Sequence, residues 1–118
     1  WNGFSARFLA LWAKSPVGDA FTGTLFESPT GRRAIDVERH RFVSDLFEDS
    51  LRFAGAKMIR RILGLAHVED LESIENTRVR AGCELNALEL ARKLVLDAPA
   101  FGQIRHVTAA ARAIYENQ

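Results

Sequence analysis

The chain has 118 residues, 47% of them apolar and 26% charged, with a formal net charge of +1 at neutral pH. This is ordinary globular composition for one domain or a substantial part of one, and so small a charge excludes a global field drawing the protein to nucleic acid or membrane. The lone cysteine, Cys83, excludes a disulfide framework and a thiolate metal site and fits a reducing cytoplasm, and no apolar run approaches the roughly 20 residues of a membrane span.

Trp1, Phe4, Phe8 and Trp12 open the chain as an apolar stripe already in mid-pattern. That abrupt start reads as a truncated or proteolysed piece of a longer protein, or as a chain whose leader has been removed. A signal peptide itself is not visible, because Arg7 and Lys14 interrupt the stripe and no cleavage site follows. Residues 2–13 read as an amphipathic helix that Ser15-Pro16-Val17-Gly18 brings to an end. Residues 15–34 are expected to form a surface loop, since Pro16, Gly18, Gly23, Pro29 and Gly31 fall there, with Phe21 and Phe26 tucking it onto the body.

A second helix is expected from about Ile35-Asp36 to Arg52, burying Phe42, Val43, Leu46, Phe47 and Leu51. Gly55 makes the stretch from Phe53 to Ala56 a weak joint, because glycine costs about 1 kcal/mol inside a helix. A third helix then covers roughly 55–66, with Ile59, Ile62, Leu63 and Ala66 inward and Gly64 marking close approach of another backbone. A short turn carries His67, Val68 and Leu71. Asn76 is the expected N-cap of a long helix to about Asp97, on which Ala81, Leu85, Leu88, Ala91 and Val95 keep helical period. Pro99 separates it from a last helix near 101–116, carrying Ile104, Val107, Ala111, Ile114 and Tyr115. No segment alternates as a strand bounded by hairpin turns. The fold class is therefore all-α, about five helices within a single helical piece, 1–118.

Lys57, Arg60 and Arg61 stand at i, i+3 and i+4 of one helix, opposite Ile59 and Ile62. Like charges at that spacing cost a few tenths of a kcal/mol each, and an anion bridging them would reverse the sign. Paired guanidinium groups suit phosphate, carboxylate or vicinal hydroxyls. Spacing alone nevertheless favours a solvated basic face. Arg32, Arg33, Arg39 and Arg41, with His40 among them, form a second basic region that lacks the basic excess and aromatic interleaving of a nucleic-acid surface. Asp45, Glu48 and Asp49 read as a solvated face rather than a metal site, as no histidine joins them. His67 with Glu69 and Asp70 could form a general-base arrangement, but a histidine at a helix C-terminus is the commoner reason for such a residue. Cys83 faces a helical interior or its margin and is structural rather than nucleophilic, and Trp1 and Trp12 are core residues rather than a stacking platform. There is no GxxxxGK[ST] or GxGxxG loop, and His40-Arg41 is followed by Phe42 rather than by a catalytic acid. This chain alone is therefore expected to perform no ATP chemistry.

The run FAGAKMIRRILGLAHVEDLESIE, residues 53–75, closely resembles the C-terminal segment of S-methyl-5-thioribose kinases, enzymes of methionine salvage. The aromatic opening is similar to the helix that follows the family's metal-binding aspartate motif, and Arg78–Leu96 to its penultimate long helix. The resemblance covers most of the chain, strongest over Lys57–Glu75 and weakest over 15–34 and the last twenty residues. It implies a protein-kinase-like fold of the aminoglycoside-phosphotransferase type, of which this is the end of the C-terminal helical lobe. It further implies transfer of the ATP γ-phosphate to the 1-hydroxyl of S-methyl-5-thioribose with Mg²⁺, and, by direct match, a substrate-binding role for Arg60 and Arg61. Lys57 is left undecided. The nucleotide lobe, catalytic aspartate and metal ligands would belong to a missing N-terminal part, so no residue here is expected to be catalytic or to bind cofactor or metal. The resemblance also suggests a homodimer. A reading from a different class stays open, a free-standing, non-catalytic helical module that binds a protein or an anionic ligand.

Overall fold

The computed structural model describes residues 1–15, 26–65 and 68–116. Among these residues it contains five α-helices and no strand: α1 Asn2–Lys14, α2 Pro29–Leu63, α3 Glu69–Glu72, α4 Thr77–Leu96 and α5 Ile104–Glu116, with a 3₁₀ turn at Ala98–Ala100 before the last. The all-α class is as expected, but the division into helices differs. The two expected middle helices are one, α2, and the fifth is the short α3.

The start of α2 differs for a local reason. Ser28 precedes Pro29, and its Oγ accepts a hydrogen bond from the Gly31 N–H at 3.0 Å. A serine N-cap followed by proline at the first helical position satisfies one orphan amide and removes another, so the helix begins at Pro29 rather than near Ile35. The backbone of Phe26 lies against this first turn. A Cβ on Gly31 would come within 2.8 Å of the Phe26 Cα, which explains a glycine inside a helical turn. Residues 29–34 are thus helical, whereas 16–25 of the expected loop, with Phe21, lie outside the described residues.

The chain divides into two compact units, Trp1–Phe47 and Glu48–Gln118, with the boundary inside α2. In the first unit, Ile35, Arg39, Val43 and Phe47 recur every four residues of α2 and are all buried. An aromatic ladder accompanies them. Trp1 meets Phe47 at 4.9 Å between ring centroids, Phe8 meets Phe42 at 6.3 Å and Trp12 meets Phe42 at 5.4 Å. The first pair is tilted, the second stacked and the last edge-on, and such contacts between aromatic rings add to plain area burial. Trp1 and Trp12 stay half-buried, and Phe42 remains 44% exposed.

In the second unit, α4 packs on α5, on α3 and on the 3₁₀ turn. Its core comprises Leu51, Ala91, Leu94, Ala98 and Phe101. Gly55 is buried here. A Cβ on it would stand 2.6 Å from the Ala91 carbonyl oxygen and 2.8 Å from Val95 Cγ2. Gly55 is therefore no joint: it is the place where α2 and α4 touch backbone to backbone, and this contact offsets the roughly 1 kcal/mol cost of helical glycine. Gly64 has the opposite role to the expected one. It lies just past Leu63, donates to the Arg60 carbonyl at 2.9 Å, and its neighbour is that same preceding turn rather than another element.

The capping of α4 follows the expectation. Asn76 Oδ1 accepts from the N–H groups of Arg78 at 3.0 Å and Val79 at 3.2 Å. At its far end Pro99 stands in the 3₁₀ turn, and α5 begins at Ile104. No helix among the described residues is long and apolar enough to cross a membrane.

Candidate functional site

The last four or so turns of α2 carry an unusual balance of charge. From Ser50 to Val68 the sequence holds no carboxylate, but it holds Arg52, Lys57, Arg60 and Arg61. Arg52 is neutralised in place, donating to Glu48 at 3.0 Å and to Asp49 at 3.1 Å. The acidic group Asp45, Glu48 and Asp49 is thereby partly accounted for as ion-pair partners. The other three cations form no ion pair among the described residues.

Lys57, Arg60 and Arg61 are all exposed, while Met58, Ile59 and Ile62 on the other side of the helix are half-buried. The Lys57 ammonium lies over the Phe53 ring, 5.7 Å from its centroid. Phe53 is itself 67% exposed, Leu63 71% and Leu65 fully, so large apolar side chains are exposed along the same stretch of chain as the cations. Leu63, expected inward, is thus outward: the helix ends there and no described element covers it. Ala66 and His67 lie outside the described residues.

Position on the helix matters for the arginines. Arg60 and Arg61 occupy the last turn of α2, where unsatisfied carbonyls give the negative end of the helix macrodipole. Cations there gain about 0.3–1 kcal/mol each, which more than offsets their mutual repulsion. The pair therefore has a structural reason to exist without any ligand. Lys57, one turn further back, gains less from that source.

Over 112 residues the chain is 39% identical to a methylthioribose kinase of Escherichia coli O45:K1, a match that takes in 95% of this chain. The chain is homologous to methylthioribose kinases. Methylthioribose kinase 2 of Oryza sativa subsp. japonica is 39% identical over 91% of the chain, and the kinase of Yersinia pestis strain Pestoides F 34% identical over 95%. No protein-family model matches. In the bacterial and plant kinases alike the chain spans about a quarter of the relative's own length, 26% and 25% for the first two. The match therefore contains the whole arginine-bearing end of α2 and only a part of each methylthioribose kinase.

The remaining residues singled out by sequence are not brought together with this cluster. Arg39 leaves the second basic region altogether, because it is buried, with Asp36 at 3.4 Å and the Trp12 ring 5.6 Å from its guanidinium carbon. Its Nε is buried with no hydrogen-bond partner. Arg32 donates to the Glu27 carbonyl, and His40 Nδ1 lies 2.7 Å from the Asp36 carbonyl oxygen. Arg32 and His40 stay exposed alongside Arg33 and Arg41, so only Arg39 of that region is withdrawn from the surface. Glu69 and Asp70 fall in the first turn of α3, where the positive helix end favours carboxylates. Cys83 is exposed rather than interior. It borders an apolar cleft of about 280 Å³ with Met58, Leu90, Ala111, Ile114 and Tyr115.

Sequence reasoning missed the Phe53–Lys57 contact, although an aromatic four residues before a lysine is a readable i, i+4 signal. It missed the burial of Arg39 as well. The spacing of Ile35, Arg39, Val43 and Phe47 announces that position, once α2 is known to begin before Ile35.

Proposed function

We propose that this chain is part of a kinase that phosphorylates S-methyl-5-thioribose on its 1-hydroxyl, and that Arg60 and Arg61 contact the sugar. The observation that carries the reading is the exposed arginine pair with no carboxylate partner among the described residues, inside a segment homologous to methylthioribose kinases. Two planar guanidinium groups offer arrays of donors to vicinal hydroxyls, and they tolerate the negative charge that grows on a transferring phosphoryl group. In this reading ATP and Mg²⁺ are held by parts of the kinase other than these 118 residues, to none of which a nucleotide or metal role is assigned. The chain by itself is inactive, and the reaction serves methionine salvage in the cytoplasm.

The test is a methylthioribose kinase in which this chain takes the place of the matching quarter of the enzyme. Activity in that hybrid is the expected starting point, against no turnover by residues 1–118 alone. Arg60→Gln and Arg61→Gln should each lower kcat/KM by roughly 10- to 100-fold, the loss of a charge-assisted contact worth about 1.5–3 kcal/mol. An inactive hybrid that is folded, or near-normal kinetics in both variants, returns the pair to a solvated helix end.

A further inference from the structure

The arginine pair gains stability from the helix terminus, but Lys57 needs another explanation. It stands at i+4 from Phe53 and at i−4 from Arg61, so ring, ammonium and guanidinium follow one another along one stripe of α2. Its charge adds to two others within about a turn and has no carboxylate partner among the described residues. A neutral sugar does nothing to offset that accumulation, whereas an anion does.

The Phe53 ring is a weak holder. A cation–π contact at an exposed site is worth too little to compete with a phosphate oxygen, but it biases a flexible lysine towards the ring. A lysine suits this duty better than a third arginine, since its ammonium is a compact charge on a mobile stem with donors that turn to any direction.

We propose that Lys57, parked on the Phe53 ring, is a specificity-determining residue that moves onto the phosphoryl group of a phosphorylated sugar, while Arg60 and Arg61 hold the sugar itself. The proposal rests on the reading that this surface binds the sugar, and it deepens that reading by assigning the two chemistries of one site to different residues. Lys57 would then distinguish the phosphorylated sugar from the neutral one, leaving the affinity for the latter almost unchanged.

The experiment is NMR titration of the hybrid kinase with ribose 1-phosphate and, separately, with neutral ribose. In the free hybrid the Lys57 ε-methylene should resonate upfield through the ring current of Phe53. Ribose 1-phosphate should move it towards its ordinary position as the ammonium leaves the ring, and ribose should not. Lys57→Gln should weaken ribose 1-phosphate binding by about three- to tenfold, with ribose affected less than twofold. Perturbation of Arg60 and Arg61 by both probes, with Lys57 unmoved and Lys57→Gln binding normally, overturns the proposal but leaves the sugar-site reading standing. Absence of any shift in all three residues at 20-fold excess of either probe overturns both.

Discussion

At the scale of single residues, glycine and arginine show how contact decides cost. Gly55 has no room for a methyl group, with the Ala91 carbonyl oxygen 2.6 Å from where a Cβ would be. Gly3, in α1, has nothing within 4 Å of the equivalent point. Gly55→Ala should therefore destabilise the chain by about 1–3 kcal/mol through overpacking, although alanine is the better helix former. Gly3→Ala should instead stabilise it by up to about 1 kcal/mol. Urea unfolding of the two variants against the parent tests both signs at once. Arg39 presents a subtler balance. Its charge is buried, yet its partner Asp36 keeps a side chain 68% exposed, so removing the arginine leaves a carboxylate that water can solvate. Arg39→Met should cost no more than the cation–π contact with Trp12, about 1 kcal/mol, rather than the 3–5 kcal/mol of breaking a fully buried pair. Thermal melting of Arg39→Met distinguishes these magnitudes easily.

At the scale of elements, the helix termini carry most of the readable chemistry. Asn76 serves two amides of the first turn of α4, so Asn76→Ala should cost about 1 kcal/mol, seen as a lower urea midpoint with an unchanged slope. The same helix holds a pH-dependent contact further along. The hydrogen bond from Arg92, assisted by the charges of Arg92 and Lys93, holds the Glu89 carboxyl below the usual glutamate range. A carboxyl whose folded-state pKa is lowered contributes stability above its unfolded pKa and loses that contribution as pH falls through the folded one. Glu89→Gln should accordingly lower Tm slightly at neutral pH, and the difference from the parent should vanish in acid below the glutamate range. A difference that persists there would mean packing rather than charge. The entry to α2 was legible in the same way, from Ser28 followed by Pro29, but a loop reading of the surrounding prolines and glycines obscured it. Its continuity through Gly55 was not legible, since local propensity at that point argues for a break and only the α4 backbone explains why none occurs.

At the scale of the whole molecule, structure and proposed function place separable demands on the arginine pair. Replacing both Arg60 and Arg61 with glutamine removes favourable dipole interactions worth about 0.3–1 kcal/mol each and breaks no described ion pair. The doubly substituted chain should keep its helical circular dichroism and lose no more than about 2 kcal/mol, while the hybrid kinase carrying it loses activity by orders of magnitude. Parallel losses of fold and turnover would instead make the pair a structural device. The sequence by itself determined the all-α class, the α4 cap and the homologous segment around Arg60 and Arg61, because periodicity, capping side chains and a long specific run are properties of neighbouring residues. Only the tertiary structure decided that Gly55 is a crossing point, that Arg39 is buried under Trp12, and that Lys57 rests on Phe53 without a carboxylate. Those outcomes depend on which groups the fold brings, or fails to bring, within a few ångströms, and burial and charge pairing are settled at that distance rather than along the chain.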